Sequence, residues 1–145
     1  MELSSRIEYA LLALLELASR QQKGSPLTVN EIAACQAIPE RYLDQILTHL
    51  RRSGILISQR GAKGGYLLAK EPWQITLLEV VASVEGGHSA KEGDIADSQT
   101  LEKTVVVEIW QRAKKSTESI LASYTLQDLC QQRDTYQQKN PMYYI

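Results

Sequence analysis

The segment from Ile38 to Lys70 changes its hydrophobic period halfway along, and that change restricts the fold more than any other feature of the chain. As far as Leu50, apolar residues recur as they do in a helix, with Leu43, Ile46, Leu47 and Leu50 on one face. Pro39 suits a first helical turn and Gly54 a C-terminal stop, so the helix covers about 39–53. Beyond Gly54 the apolar runs are short, "ILISQ" and "GYLLA", and the polar loop "RGAKG" divides them. That pattern predicts a β-hairpin directly after a helix.

Upstream, "SRIE" (Ser5, Glu8) and "TVNE" (Thr28, Glu31) have capping-box spacing; downstream, so do "TLLE" (Thr76, Glu79) and "TLQD" (Thr125, Asp128). They predict a first helix over about 3–20 and a short second helix over 28–36. They also predict a fourth helix over 76–84 and a last one over 125–137. "QQKGSP" breaks the first helix, and "QAIP" makes a tight turn before the third. The polar stretch 86–99 has no period and predicts a loop. A long helix over 101–123 follows, its apolar stripe marked by Leu101, Val105, Trp110, Ala113, Ile120 and Leu121. The fold class is therefore mainly α with one small hairpin. Helix, four-residue turn, helix and hairpin is the order of a winged helix-turn-helix, with the third helix in the major groove and the hairpin as wing.

Composition narrows the partners. The 145 residues carry a net charge of −1, which argues against a nonspecific polyanion binder. The charge is divided, however: residues 1–70 carry nine Lys/Arg against six Asp/Glu, and residues 71–145 carry seven against eleven. The basic excess lies in 40–70, where it permits a defined nucleic-acid footprint. The longest apolar stretch, "ALLALL", falls well short of the roughly 20 residues of a membrane span. The N-terminus does not read as a secretory signal, so the expected location is the cytoplasm, with no membrane partner.

The glycine loop does not read as a nucleotide site. A phosphate-binding loop needs GxxxxGK and Ser or Thr between a strand and a helix, and a dinucleotide fingerprint also opens a helix. Here the loop sits inside a hairpin. As a plain turn, it requires Gly64 or Gly65 to supply a positive φ.

"IPERYLDQILTHLRRSGILISQRGAKGGYLLAK" resembles the signature of the IscR-type, or Rrf-two, winged helix-turn-helix transcription regulators. "MELSSRIEYALLALLELA" and "ITLLEVVASVEG" are similar to the segments flanking it in that family. The resemblance covers nearly the whole chain and is strongest through residue 86. It implies a DNA-binding unit over 1–85, a loop over 86–100 at the family's sensor position, and a dimerisation and C-terminal helical unit over 101–145. It implies a homodimer on a roughly palindromic double-stranded operator, the long helix crossing that of its twin through Val105, Trp110, Ala113, Ile120 and Leu121, and a repressor. Tyr42, Gln45 and Arg51 match recognition-helix contacts, and Arg60 and Gly61 match the wing contact, with Lys63 beside them. Asp44 stands where one member has a glutamate that gates operator choice. Ser4 and Ser5 stand where phosphate is met. His49, near Gln45 and Arg52, has a DNA-side role. Bland readings stand beside these: Tyr42 packing on the second helix, and Arg51 and Arg52 as ordinary C-terminal helix cations, with one of the two expected to meet phosphate.

Many members of the family hold an iron–sulfur cluster on three cysteines of the loop and a histidine of the long helix. The 86–104 stretch here has no cysteine; Glu92, Ser98, Thr104 and Val107 stand near those places. Serine and carboxylate oxygens are poor anchors beside thiolate sulfur. The expectation is therefore no cofactor. The alternative is a nonstandard cluster on Glu8, Cys35, His88 and Cys130 across a dimer. The signal stays open among a small-molecule effector, a metabolic enzyme as partner, and a thiol. No nucleophile–base set stands out, so the chain is not read as an enzyme. The remaining alternative is a dimeric adaptor that reuses the winged helix for protein contact.

Overall fold

The computed structural model describes residues 3–21, 24–86 and 100–139. Three helices open the chain: α1 (Ser5–Arg20), α2 (Val29–Gln36) and α3 (Glu40–Arg52). An antiparallel hairpin, β1 (Leu56–Gln59) and β2 (Gly65–Leu68), follows, then α4 (Leu77–Glu85), α5 (Leu101–Ser123) and α6 (Leu126–Lys139). A single 3₁₀ turn, Pro72–Gln74, links hairpin and α4, and the sequence pattern did not announce it.

The helix starts follow their side chains. Thr28 accepts the Glu31 N–H at 3.2 Å. Thr76 and Glu79 form a complete capping box, with the Glu79 N–H on Thr76 Oγ1 at 3.1 Å and the Thr76 N–H on Glu79 Oε2 at 3.2 Å. Asp128 serves equally well in the box that opens α6, accepting the Thr125 N–H at 2.8 Å. The first cap corrects the expectation. Ser4, not Ser5, sits in extended backbone and accepts the Ile7 N–H at 3.2 Å, so Ser5 is already helical. Only Ser5 has an acidic residue three places on, so capping-box spacing favours it, yet Ser4 caps the helix with its hydroxyl alone. α5 is capped by Thr100, which accepts the Lys103 N–H at 3.1 Å; the sequence reading had no cap there.

One core joins these elements apart from α5. Ala10, Leu14 and Leu17 of α1 pack with Ile32, with Leu43, Ile46, Leu47 and Leu50 of α3, and with Leu56, Leu68, Ile75 and Val80. Leu126 of α6 is fully buried in the same cluster. It is brought there by a short bridge between two helix starts: the Leu77 N–H donates to the Tyr124 carbonyl at 3.0 Å, and the Leu126 N–H to the Ile75 carbonyl at 2.8 Å. The hairpin is likewise extended by a bridge from the α1–α2 connection, where Leu27 and Tyr66 exchange both backbone bonds at 2.7 and 3.1 Å.

The turn between α2 and α3 is fixed by Ala37 in the left-handed region, at φ 54°, while the Ile38 N–H closes on the Ala33 carbonyl at 3.1 Å. Behind α3, the Ser53 and Ser83 hydroxyls lie 2.7 Å apart and each reaches the His49 carbonyl, tying the end of α3 to α4.

Candidate nucleic-acid interface

α3 owes its orientation to a sharp division of its surface. Leu43, Ile46, Leu47 and Leu50 are buried to 1% exposure or less. At 3.6 residues per turn, the line opposite them runs through Arg41, Gln45, Thr48 and Arg52, with Tyr42 and His49 on one flank and Asp44 and Arg51 on the other. Arg41, Gln45 and Arg52 are exposed. Thr48 is half-buried, its hydroxyl bonded to the Asp44 carbonyl at 2.9 Å. Tyr42 is 59% exposed, so its ring is not committed to packing on α2. His49 is half-buried, while Asp44 and Arg51 are free to solvent. Arg41 and Thr48 were absent from the expected DNA contacts, Arg41 counting only toward the basic excess, and Arg52 entered as one of two helix-end cations of which one meets phosphate. The spacing i, i+4, i+7, i+11 was the signal that could have found them.

The hairpin supplies the second part. Its register pairs Leu56 with Leu68 and Gln59 with Gly65, which leaves Arg60 to Gly64 as the tip. Arg60, Gly61 and Lys63 are all exposed. The tip closes with the Gly64 N–H on the Gly61 carbonyl at 3.0 Å. The positive φ falls on Gly61 (113°) and Gly65 (150°), so the Gly64-or-Gly65 expectation holds for Gly65 and misses Gly61. Gly65 has a second reason to be glycine: a Cβ there would stand 2.5 Å from the Leu27 carbonyl oxygen, in the bridge that holds the hairpin against the body.

Neither part spends its charge internally. Among the described residues the salt bridges are Lys70–Glu79 at 3.3 Å and Arg133–Asp134 at 3.2 Å. Arg41, Arg51, Arg52, Arg60 and Lys63 take part in neither. A convex row of free cations and amides beside a glycine-tipped hairpin fits a groove and its flanking phosphates.

The remaining candidates lie elsewhere. Val105, Trp110, Ala113 and Ile120 are exposed on α5, Trp110 at 74%, and Leu121 is half-buried. Leu101, Val106 and Ile109 are exposed as well, so α5 presents more apolar surface than its marked stripe. No residue of α5 is buried. Its C-terminal half, from Lys114 to Leu121, borders an apolar groove of about 630 Å³ with Leu3, Ile7 and Leu11 of α1 and Leu77, Leu78 and Val81 of α4.

Of the possible cluster ligands, Glu8 is exposed on α1, Cys35 is exposed on α2, and Cys130 is half-buried on α6. Burial pushes the Cys130 thiol up, with Asp134 adding to the rise and Arg133 opposing it. Among the described residues no three His, Cys, Asp or Glu side chains come together to hold a metal ion. His88, Glu92 and Ser98 lie outside the described residues. Among the described residues no helix is long and apolar enough to cross a membrane.

A sequence profile of the Rrf2 family, described as iron-dependent transcriptional regulators, matches residues 3–132. The HTH-type transcriptional regulator CymR of Bacillus subtilis is 34% identical over the full length of both chains. A putative HTH-type regulator of Synechocystis, slr0846, is 37% identical over 89% of this chain and 87% of its own. The fold agrees with the solved structure of T. potens IscR, with a TM-score of 0.77, 31% identity and 94% of this chain and 91% of that one covered. It also agrees with that of B. subtilis CymR, the global cysteine regulator, with a TM-score of 0.70, 32% identity and coverage of 90% and 97%.

Proposed function

The chain belongs to the Rrf2 family of winged-helix DNA-binding transcription regulators, and from that premise we propose that it acts as a homodimeric repressor on a near-palindromic operator. The observation that carries this is the outward row of α3 beside the Arg60–Gly64 tip: both bear exposed basic side chains outside the salt bridges found among the described residues. α3 enters the major groove, where Gln45 meets a base edge and Tyr42 and Arg51 meet backbone. The hairpin reaches the adjacent minor groove or phosphates through Arg60, Gly61 and Lys63. Asp44 is set to reject phosphate and accept from a cytosine amino group.

Dimerisation follows from α5. An exposed run of Leu101, Val105, Val106, Ile109 and Trp110 is left uncovered among the described residues. A second copy covers it and spaces two α3 helices about one DNA turn apart.

The family description implies iron, and the donor set of this chain does not fit a cluster. Two cysteines in all, on different helices, cannot provide three thiolates from one chain, and Cys130 is held toward its protonated form. The proposed regulator therefore binds its operator without iron or sulfide.

A hydroxyl-radical footprint of the full chain on the DNA upstream of its own coding region tests the reading. Two protected segments about one turn apart on one face of the duplex are expected. Protection of a single segment, or of none, would remove the dimeric-operator reading.

A further inference from the structure

Arg41 heads the outward row of α3, and no contact among the described residues accounts for it. It is the second residue of its helix, where a cation opposes the partial positive charge of the helix start. Its exposed side chain packs on nothing and joins no ion pair among the described residues, which leaves it available to an external partner.

The chemistry around it separates the two parts of DNA it could meet. Glu40 precedes it and Asp44 lies one turn on, both exposed, so two carboxylates flank the guanidinium. They repel a phosphate brought to that spot and leave a neutral base edge favoured. Recognition helices present their N-terminal residues to base edges, and the arginine fork matches the O6 and N7 acceptors of guanine. Gln45 stands four residues further on the same line, about 6 Å along the axis, and its amide matches adenine N6 and N7. That distance corresponds to about two base-pair steps at roughly 3.4 Å each.

Resting on the reading of α3 as the recognition helix, we infer that Arg41 is a specificity-determining residue that reads a guanine in the major groove, within about two base pairs of an adenine read by Gln45. The sequence sets this chain's operator preference at that position through Arg41, and the wing and phosphate contacts do not depend on it.

The test is a binding selection from a randomised duplex library, run with the full wild-type chain and with Arg41→Ala and Arg41→Gln. Wild type is expected to enrich half-sites with one fixed guanine close to a fixed adenine. Both variants are expected to recover the same sites with that guanine position alone relaxed. On the wild-type site they should bind about 5- to 100-fold more weakly, with the salt dependence of binding unchanged. Their melting temperatures should stay close to that of wild type, since the lost helix-dipole penalty and the lost attraction of Glu40 and Asp44 oppose each other; this separates lost recognition from lost folding. Retention of every base preference by the variants overturns the inference. So does an even loss across all sequences with a shallower salt dependence, which is the mark of a phosphate contact. If wild type enriches no sequence at all, α3 is not a recognition helix, and the proposed function falls with the inference.

Discussion

Arg60 is exposed at the entrance of a five-residue tip and joins no salt bridge among the described residues, so its replacement is expected to leave the fold unchanged. Arg60→Ala is expected to weaken operator binding by about 1–3 kcal/mol and relax preference at the flanking positions if it reads a groove; an even loss on all sequences marks it as a phosphate contact. Titrations on operator and scrambled duplexes distinguish these, and unchanged affinity on both removes Arg60 from the site. The two thiols differ in the same local way. Cys35 is exposed, whereas Cys130 is half-buried with its thiol pushed up by burial. Mass spectrometry of iodoacetamide-treated protein near pH 8 should show Cys35 modified well before Cys130; the reverse order would show that the α6 site is open. The native state holds the Cys130 proton more tightly than the unfolded chain does. The stability this confers is present at lower pH and declines as pH rises past the ordinary thiol range. A thermal-melt series in which Cys130→Ala declines through alkaline pH as steeply as wild type would contradict that. At this scale the sequence was legible where residue type settles the role, as for Gly65, which needs both a positive φ and space beside Leu27. It was less legible for Arg41 and Thr48, because matching motif positions draws attention to Tyr42, Gln45 and Arg51 and away from the helix's own outward line.

The elements are held where neighbouring chain segments share hydrogen bonds. The Thr76–Glu79 box opens α4, and Lys70 joins Glu79 at 3.3 Å, so one carboxylate serves both the cap and the strand leaving the hairpin. Thr76→Ala should lower stability by about 1 kcal/mol, most of it from the cap, since an exposed ion pair adds little; denaturant unfolding measures it, and no loss would mean that the backbone bridge alone sets the helix start. Gly65→Ala should do more. Its Cβ collides with the Leu27 carbonyl, so the hairpin must lift from the α1–α2 connection, reducing stability and operator affinity together. Normal operator affinity in that variant would show that wing placement is unimportant. Helix extents and the hairpin were readable because caps, apolar period and glycine stops are local signals. The Leu27–Tyr66 and Leu77–Tyr124 bridges were not, since they join residues far apart in sequence and depend on how the helices pack. Neither was the attachment of α6: its start looked like any capped helix, yet Leu126 is fully buried with Ile75 and Val80.

For the whole molecule, the informative feature is the apolar surface of α5 that the described residues leave uncovered. Ile109 is 57% and Trp110 74% exposed on a helix with no buried residue, and at about 1.5 Å per residue its 23 residues make a rod of about 35 Å. The sequence pattern identified the stripe but not its bearing, because a helical period does not say whether the apolar face meets its own chain or another. Trp110→Glu is expected to lower dimer content in sedimentation and operator affinity in parallel; a stable dimer or an unchanged affinity would separate α5 from assembly. Replacing both Cys35 and Cys130 by alanine should leave operator binding nearly intact in protein prepared without oxygen. A brown preparation with stoichiometric iron and sulfide, bleached by those substitutions, would instead place a cluster on those thiols. The central claim is that α3 and the hairpin form a sequence-selective DNA reader. It is tested most directly by fluorescence anisotropy on a duplex from the chain's own upstream region, titrated at several salt concentrations against a scrambled duplex. The account predicts saturable binding that weakens steeply with salt, through the phosphates neutralised by basic side chains, and at least a thousandfold preference over the scrambled duplex. Equal affinity for the two duplexes, or no complex and no salt dependence, would contradict it.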